Sequence, residues 1–206
     1  MQKRLVRTAL LCVLGLLAGA GIAWTQLQSG PAAVVQQTAP QSMAGADIGG
    51  PFTLVNQDGQ TVTDQDFAGR WKLVYFGFTY CPAICPTELQ KMAKALNAMG
   101  PAGDAIQPIF ITTDPDRDTP EAMKKFVELF HPRLIGLTGD RKQIKDVQKN
   151  YRVYAKKVQT QDKTEYTMDH SSFIYLMSPQ GELVAIYRGA DTAEKITSDL
   201  KARLGA

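Results

Sequence analysis

The sequence predicts an α/β domain: a central mixed sheet flanked by helices, opened by a β-hairpin and preceded by a membrane anchor. Three observations carry that expectation. Apolar runs of strand length alternate with segments of helical periodicity. The alternation closes on two strands around the turn Ser178-Pro179-Gln180-Gly181, followed by an amphipathic helix. Finally, Cys81 and Cys85 stand where the first long apolar run meets the first helical pattern.

The elements follow in order. Phe52 to Asn56 and Gln60 to Thr63 flank Asp58-Gly59, a hairpin signal. Leu73 to Thr79 is the first central strand and Ile106 to Thr112 the second, with a helix over Thr87 to Met99 between them. Thr119 caps a helix reaching about Phe130, with Pro120 at its first position, where a missing N–H costs nothing. Leu134 to Leu137 is a short strand, and Asp140 caps a helix reaching about Tyr151. Ser172 to Met177 and Leu183 to Arg188 pair across their turn, and Thr192 to Leu204 forms the last helix.

The N-terminus sets the topology. Thr8 to Trp24 is apolar and uncharged, behind Lys3, Arg4 and Arg7, and no charge follows until Asp47. That asymmetry holds the N-terminus in the cytoplasm and sends the rest across the membrane. Residues 1–27 are therefore expected to be a cytoplasmic N-terminus and transmembrane anchor, with Trp24 at the interface. Residues 28–48 form a flexible tether and residues 49–206 the domain. A cleaved signal peptide is the alternative, since Ala18-Gly19-Ala20 is a fitting cleavage site; length favours the anchor. Cys12 lies in the apolar stretch and reads as inert filler.

Composition narrows the function. The chain has 206 residues and a net charge of +3; setting aside Lys3, Arg4, Arg7 and Asp47 leaves 20 basic and 19 acidic residues. Bulk charge therefore gives no case for nucleic-acid binding. The basic excess between Lys124 and Lys157 reads as solvated helix surface.

The chemistry centres on Cys81-Pro82-Ala83-Ile84-Cys85-Pro86. Thiols four residues apart at a strand-to-helix junction share one face of the first turn, and a helix N-terminus favours the thiolate. A structural disulfide there would close too short a loop to stabilise much. Three intervening residues, rather than the two of a thioredoxin-type redox pair, suit chelation. The domain has two histidines. His170 sits just before an apolar strand, where its loop should face the cysteines. His131, at a helix end, is explained there as a cation facing the helix dipole. Two thiolates and an imidazole suit copper, as Cu(I) or Cu(II); a closed zinc site would need a fourth strong ligand. Asp169 is expected either to supply that ligand or to accept the imidazole N–H. Asp114, at the carboxyl end of its strand, is expected beside the cysteines as a tuning carboxylate or outer ligand. Asp118 and Thr119 read as capping groups, Arg117 as a partner of its acidic neighbours, Tyr80 as cover for the site and Met168 as packing. A reactive pair at the tip of the first βα unit points to the thioredoxin fold. A peroxiredoxin is disfavoured, because Phe78 stands three residues before Cys81 where a Thr belongs.

These motifs together resemble the Sco/SenC family of membrane-tethered, thioredoxin-like copper proteins. The resemblance rests on the cysteine motif, on Asp114-Pro115-Asp116-Arg117-Asp118-Thr119-Pro120, on Asp169-His170, and on Phe52-Thr53-Leu54-Val55-Asn56-Gln57-Asp58-Gly59. It implies one copper ion held by Cys81, Cys85 and His170. It also implies a metallochaperone serving the binuclear copper centre of cytochrome c oxidase subunit II, as copper donor, thiol reductase or both. Other periplasmic copper chaperones are further expected partners, and the bacterial inner membrane, with the domain in the periplasm, is the expected location. The alternative is a periplasmic thiol–disulfide oxidoreductase, an enzyme using Cys81 and Cys85 without metal.

Overall fold

A computed structural model describes residues 48–160 and 165–206. Its centre is β3 (Trp71–Gly77) and β4 (Ile106–Thr112), apolar runs buried on both faces and paired in parallel. A hairpin of β1 (Thr53–Asn56) and β2 (Thr61–Thr63) extends one side through β5 (Ile135–Thr138). On the other side β8 (Ile174–Met177) and β9 (Leu183–Tyr187) complete a seven-stranded mixed sheet, in the order β2-β1-β5-β4-β3-β8-β9. Gly59 turns the first hairpin at φ 77°, a left-handed conformation that glycine enters without strain.

Strand alternation divides the core in two. Leu73 and Tyr75 face α1 (Ile84–Met99), α2 (Pro120–Val127) and α4 (Ala193–Leu204), meeting Leu89, Met92, Met123, Ile196 and Leu200. Val74 and Phe76 face α3 (Arg141–Asn150), meeting Ile144 and Val147. This is the expected mixed α/β architecture of the thioredoxin-like class. Two helix starts fall at their expected caps, Thr119 and Asp140, and Thr192, expected as the first residue of the last helix, caps it instead; all three side chains accept from the backbone N–H three residues on. Lys124, Lys125 and Lys142 pair with Asp58, Glu121 and Asp146 on solvated faces, as the basic excess suggested.

Two features differ from expectation. First, α1 begins at Ile84, three residues early, so Cys81 lies in the turn ahead of the helix and only Cys85 in its first turn. Second, β6 (Ala155–Gln159) and β7 (Tyr166–His170) form a separate two-stranded antiparallel sheet. His170 therefore ends a strand rather than lying in a loop, paired with Ala155. The anchor and the tether up to residue 47 lie outside the described residues. Among the described residues no helix is long and apolar enough to cross a membrane.

The register explains why distant segments converge. Gly77 pairs with Thr112, so the loops leaving β3 and β4 emerge side by side. Tyr75 pairs with Ile174, so the chain entering β8 just after His170 arrives at the same end. Ligand sites in α/β sheets lie at this carboxyl edge.

Candidate metal centre

Cys81, Cys85 and His170 meet at that edge. Their sulfur and nitrogen ligand atoms all lie within 4.8 Å of one another, and Cys85 Sγ is 3.6 Å from His170 Nε2. Cys85 is fully buried, Cys81 nearly so, and His170 is half-buried. The trio is the cluster of metal-ligating side chains found among the described residues.

Local structure sets each position. The residue capping α1 is Ala83, which has no side-chain acceptor to offer. Cys81 replaces it: its sulfur accepts the backbone N–H of Cys85 at 3.3 Å. Cys81 N–H in turn donates to the Phe78 carbonyl at 3.2 Å, closing the turn after β3. Pro86 sits in the first turn of α1, where its absent donor goes unmissed. His170 Nδ1 lies 2.9 Å from the Ser171 carbonyl and must donate to it. That bond orients the ring and turns Nε2 toward the sulfurs. Edge contacts with Phe78 and Tyr75, at ring centroid distances of 5.7 and 6.5 Å, hold the imidazole plane.

The two thiols are driven apart in acidity. Cys81 is lowered to about 4, chiefly because Cys85 S–H donates to its thiolate, with help from His170 and backbone N–H groups. Cys85 is pushed up, because it is that donor and because burial disfavours its charge. Iodoacetamide should therefore modify Cys81 at similar rates at pH 6 and pH 8, since the thiolate persists well below both. Cys85 should stay unreacted throughout. Peptide mass spectrometry reads the two sites separately; a single step near the ordinary thiol value of about 8.5 would contradict the asymmetry.

The other residues singled out in the sequence are placed as follows. Asp114 is buried, but Arg117 Nε at 2.5 Å and the Tyr166 hydroxyl at 2.9 Å take its carboxylate, and it is absent from the metal-ligating cluster. Asp169 neighbours His170 on a strand, so its side chain leaves the opposite face and is exposed. The Ser171 carbonyl, not Asp169, receives the imidazole N–H. His131 is buried and its pKa is lowered by that burial and by Arg133, so it is not the expected helix-end cation. Tyr80 is 64 % exposed, with the Arg117 guanidinium 4.6 Å from its ring centroid. Met168 packs against the core.

Sequence reasoning missed Gly77, Tyr75 and Ser172. A Cβ on Gly77 would stand 2.7 Å from Cys85 Sγ, so this glycine makes the room the sulfur occupies. The Tyr75 hydroxyl, 3.0 Å from Ser172 Oγ, also hydrogen-bonds to the Cys85 sulfur. A glycine ending a strand just before a cysteine turn was the one available signal.

The donor set fits a soft metal ion. Bonds of about 2.0–2.3 Å to sulfur and nitrogen put three ligands of one ion about 3.8 Å apart, so the trio need close by only about 1 Å.

Comparisons with known proteins agree with this geometry. The family model described as SCO1/SenC matches residues 40–205. Bovine mitochondrial protein SCO2 homolog is 41% identical over 204 residues, 98% of this chain and 77% of its own length. Bradyrhizobium japonicum ScoI, solved with copper bound, is 47% identical with a TM-score of 0.70, over 75% of this chain and 98% of that one. BsSco, described as carrying a disulfide switch and as a member of a family of cytochrome c oxidase assembly proteins, is 26% identical with a TM-score of 0.63. It is covered over 82% of this chain and 99% of its own. Fold, clustered ligands and matched length converge on one conclusion: the chain belongs to the SCO1/SenC family.

Proposed function

We propose that this chain is a copper metallochaperone of cytochrome c oxidase assembly. Its cargo would go to the binuclear copper centre of subunit II, or its thiols would first reduce that centre's cysteines. The carrying observation is the convergence of two sulfurs and an imidazole nitrogen within 4.8 Å. Soft sulfur favours Cu(I) and the nitrogen helps hold Cu(II). A related chain of the same fold has been solved with copper, and another is described as an oxidase assembly protein. Cys81 needs no deprotonation to bind, whereas Cys85 must release its proton as the ion arrives. Three protein donors leave a coordination position for an incoming thiolate, so cargo moves by stepwise ligand exchange. Other periplasmic copper chaperones would supply the ion. The basic residues before Thr8 and the uncharged stretch behind them favour an anchored bacterial inner-membrane protein with its site in the periplasm.

The unequal thiols favour a second reading, thiol–disulfide exchange at the same sulfurs. The Cys81 thiolate attacks a target disulfide, forming a mixed disulfide and expelling one target thiolate. Cys85 then gives up its proton and attacks Cys81. The pair ends as a disulfide and the target as a dithiol, a balanced two-electron exchange.

Titrating the reduced full-length protein with copper tests the first reading. One equivalent should produce sulfur-to-copper charge transfer in the visible spectrum, and the Cu(II) form should show nitrogen hyperfine coupling. Absence of both, with disulfide reduction intact, would leave the oxidoreductase.

A further inference from the structure

The hairpin β6–β7 that carries His170 is not hydrogen-bonded into the seven-stranded sheet, so other contacts must fix its position. The segment Asp114 to Asp118, leaving β4, grips it on both strands. Asp116 pairs with Lys157 of β6 at 2.5 Å and with Arg141 of α3 at 2.6 Å. Arg117 Nη1 donates to the Tyr166 carbonyl of β7 at 3.0 Å, and its guanidinium lies 3.8 Å from the Tyr166 ring centroid. The Tyr166 hydroxyl donates to Asp114, which also receives Arg117 Nε.

The same segment holds the cysteine turn. Asp118, fully buried, accepts the Thr79 N–H at 3.1 Å and the Thr79 hydroxyl at 2.6 Å, and the Thr112 hydroxyl at 2.6 Å. The Arg117 guanidinium also lies 4.6 Å from the ring of Tyr80, the neighbour of Cys81. One planar cation therefore stands between the residue beside a sulfur ligand and the strand that presents the nitrogen ligand.

We propose that Asp114 to Asp118 is a brace that sets the separation of His170 from the cysteines, with Arg117 as its central positioning residue. The proposal rests on the copper reading for its consequence but not for its geometry. Arginine is required because it supplies a flat face and a forked donor together; a lysine keeps only the charge.

The test compares full-length wild type, Arg117→Ala and Arg117→Lys. In metal-free protein, nuclear Overhauser contacts between the Phe78 and His170 rings should be strong in wild type and weak or lost in both variants. Cu(II) affinity should fall about 10–100-fold, as for removal of a supporting partner, with reduced nitrogen coupling and retained sulfur charge transfer. Arg117→Lys keeps the ion pair with Asp114 and decides the matter if Arg117→Ala does not fold. Wild-type ring contacts in Arg117→Lys, and in Arg117→Ala where it folds, would overturn the brace. Loss of ring contacts with no copper uptake by wild type would uphold the brace and remove the copper reading instead.

Discussion

Replacing His170 by Ala is expected to weaken Cu(II) binding by more than about 100-fold while two-thiolate Cu(I) binding survives. Loss of a supporting group already costs 10–100-fold, and here the ligand itself goes. Cu(I) tolerates two sulfurs, whereas Cu(II) loses its nitrogen donor. The fold should persist, because the half-buried imidazole makes edge contacts and one bond to Ser171 rather than filling the core. Competition titrations in both oxidation states, with paramagnetic resonance of the Cu(II) form, separate the effects. Nitrogen coupling unchanged in the variant would remove His170 from the site.

Gly77→Ala is expected to damage both stability and metal uptake. The added carbon would stand 2.7 Å from Cys85 Sγ, 2.9 Å from Phe110 Cε2 and 3.0 Å from Tyr75 Cε1. Phe110 and Tyr75 are fully buried rings with nowhere to retreat, and overpacking of this kind costs about 1–3 kcal/mol. For a domain of this size that lowers Tm by several degrees, at about 2–4 °C per kcal/mol. The sulfur is the group that must yield, and a turned Cys85 leaves the trio, so copper affinity should fall at least about 10-fold. Thermal melting of the metal-free protein and a copper competition titration measure the two losses independently. Wild-type values in both would show that the cavity accepts the methyl group.

The central strands and the helices of the described residues were legible because burial and capping leave local marks: continuous apolar runs, and Thr119 and Asp140 ahead of helical patterns. β6 and β7 left no such mark. Ala155-Lys156-Lys157-Val158-Gln159 is almost wholly exposed, and pairing there is set by backbone bonds and by Asp116 and Arg117 across the molecule. The three ligands were readable because soft donors are rare in this chain. Their neighbours were not. Asp114 and Asp169 carry suitable chemistry, but an ion pair turns the first aside and strand alternation sends the second outward. The bond to the Ser171 carbonyl uses an atom that every residue possesses, so no residue type announces it.

The amide of Cys85 that ends on Cys81 sulfur has a further effect. A donor aimed at a thiolate withdraws electron density that would otherwise reach a bound ion, much as amide donors tune iron–sulfur clusters. Loading thus competes with the first turn of α1 for the same lone pairs, and unloading gives them back. A carrier needs this compromise: tight enough to keep its passenger in transit, lax enough to part with it on arrival.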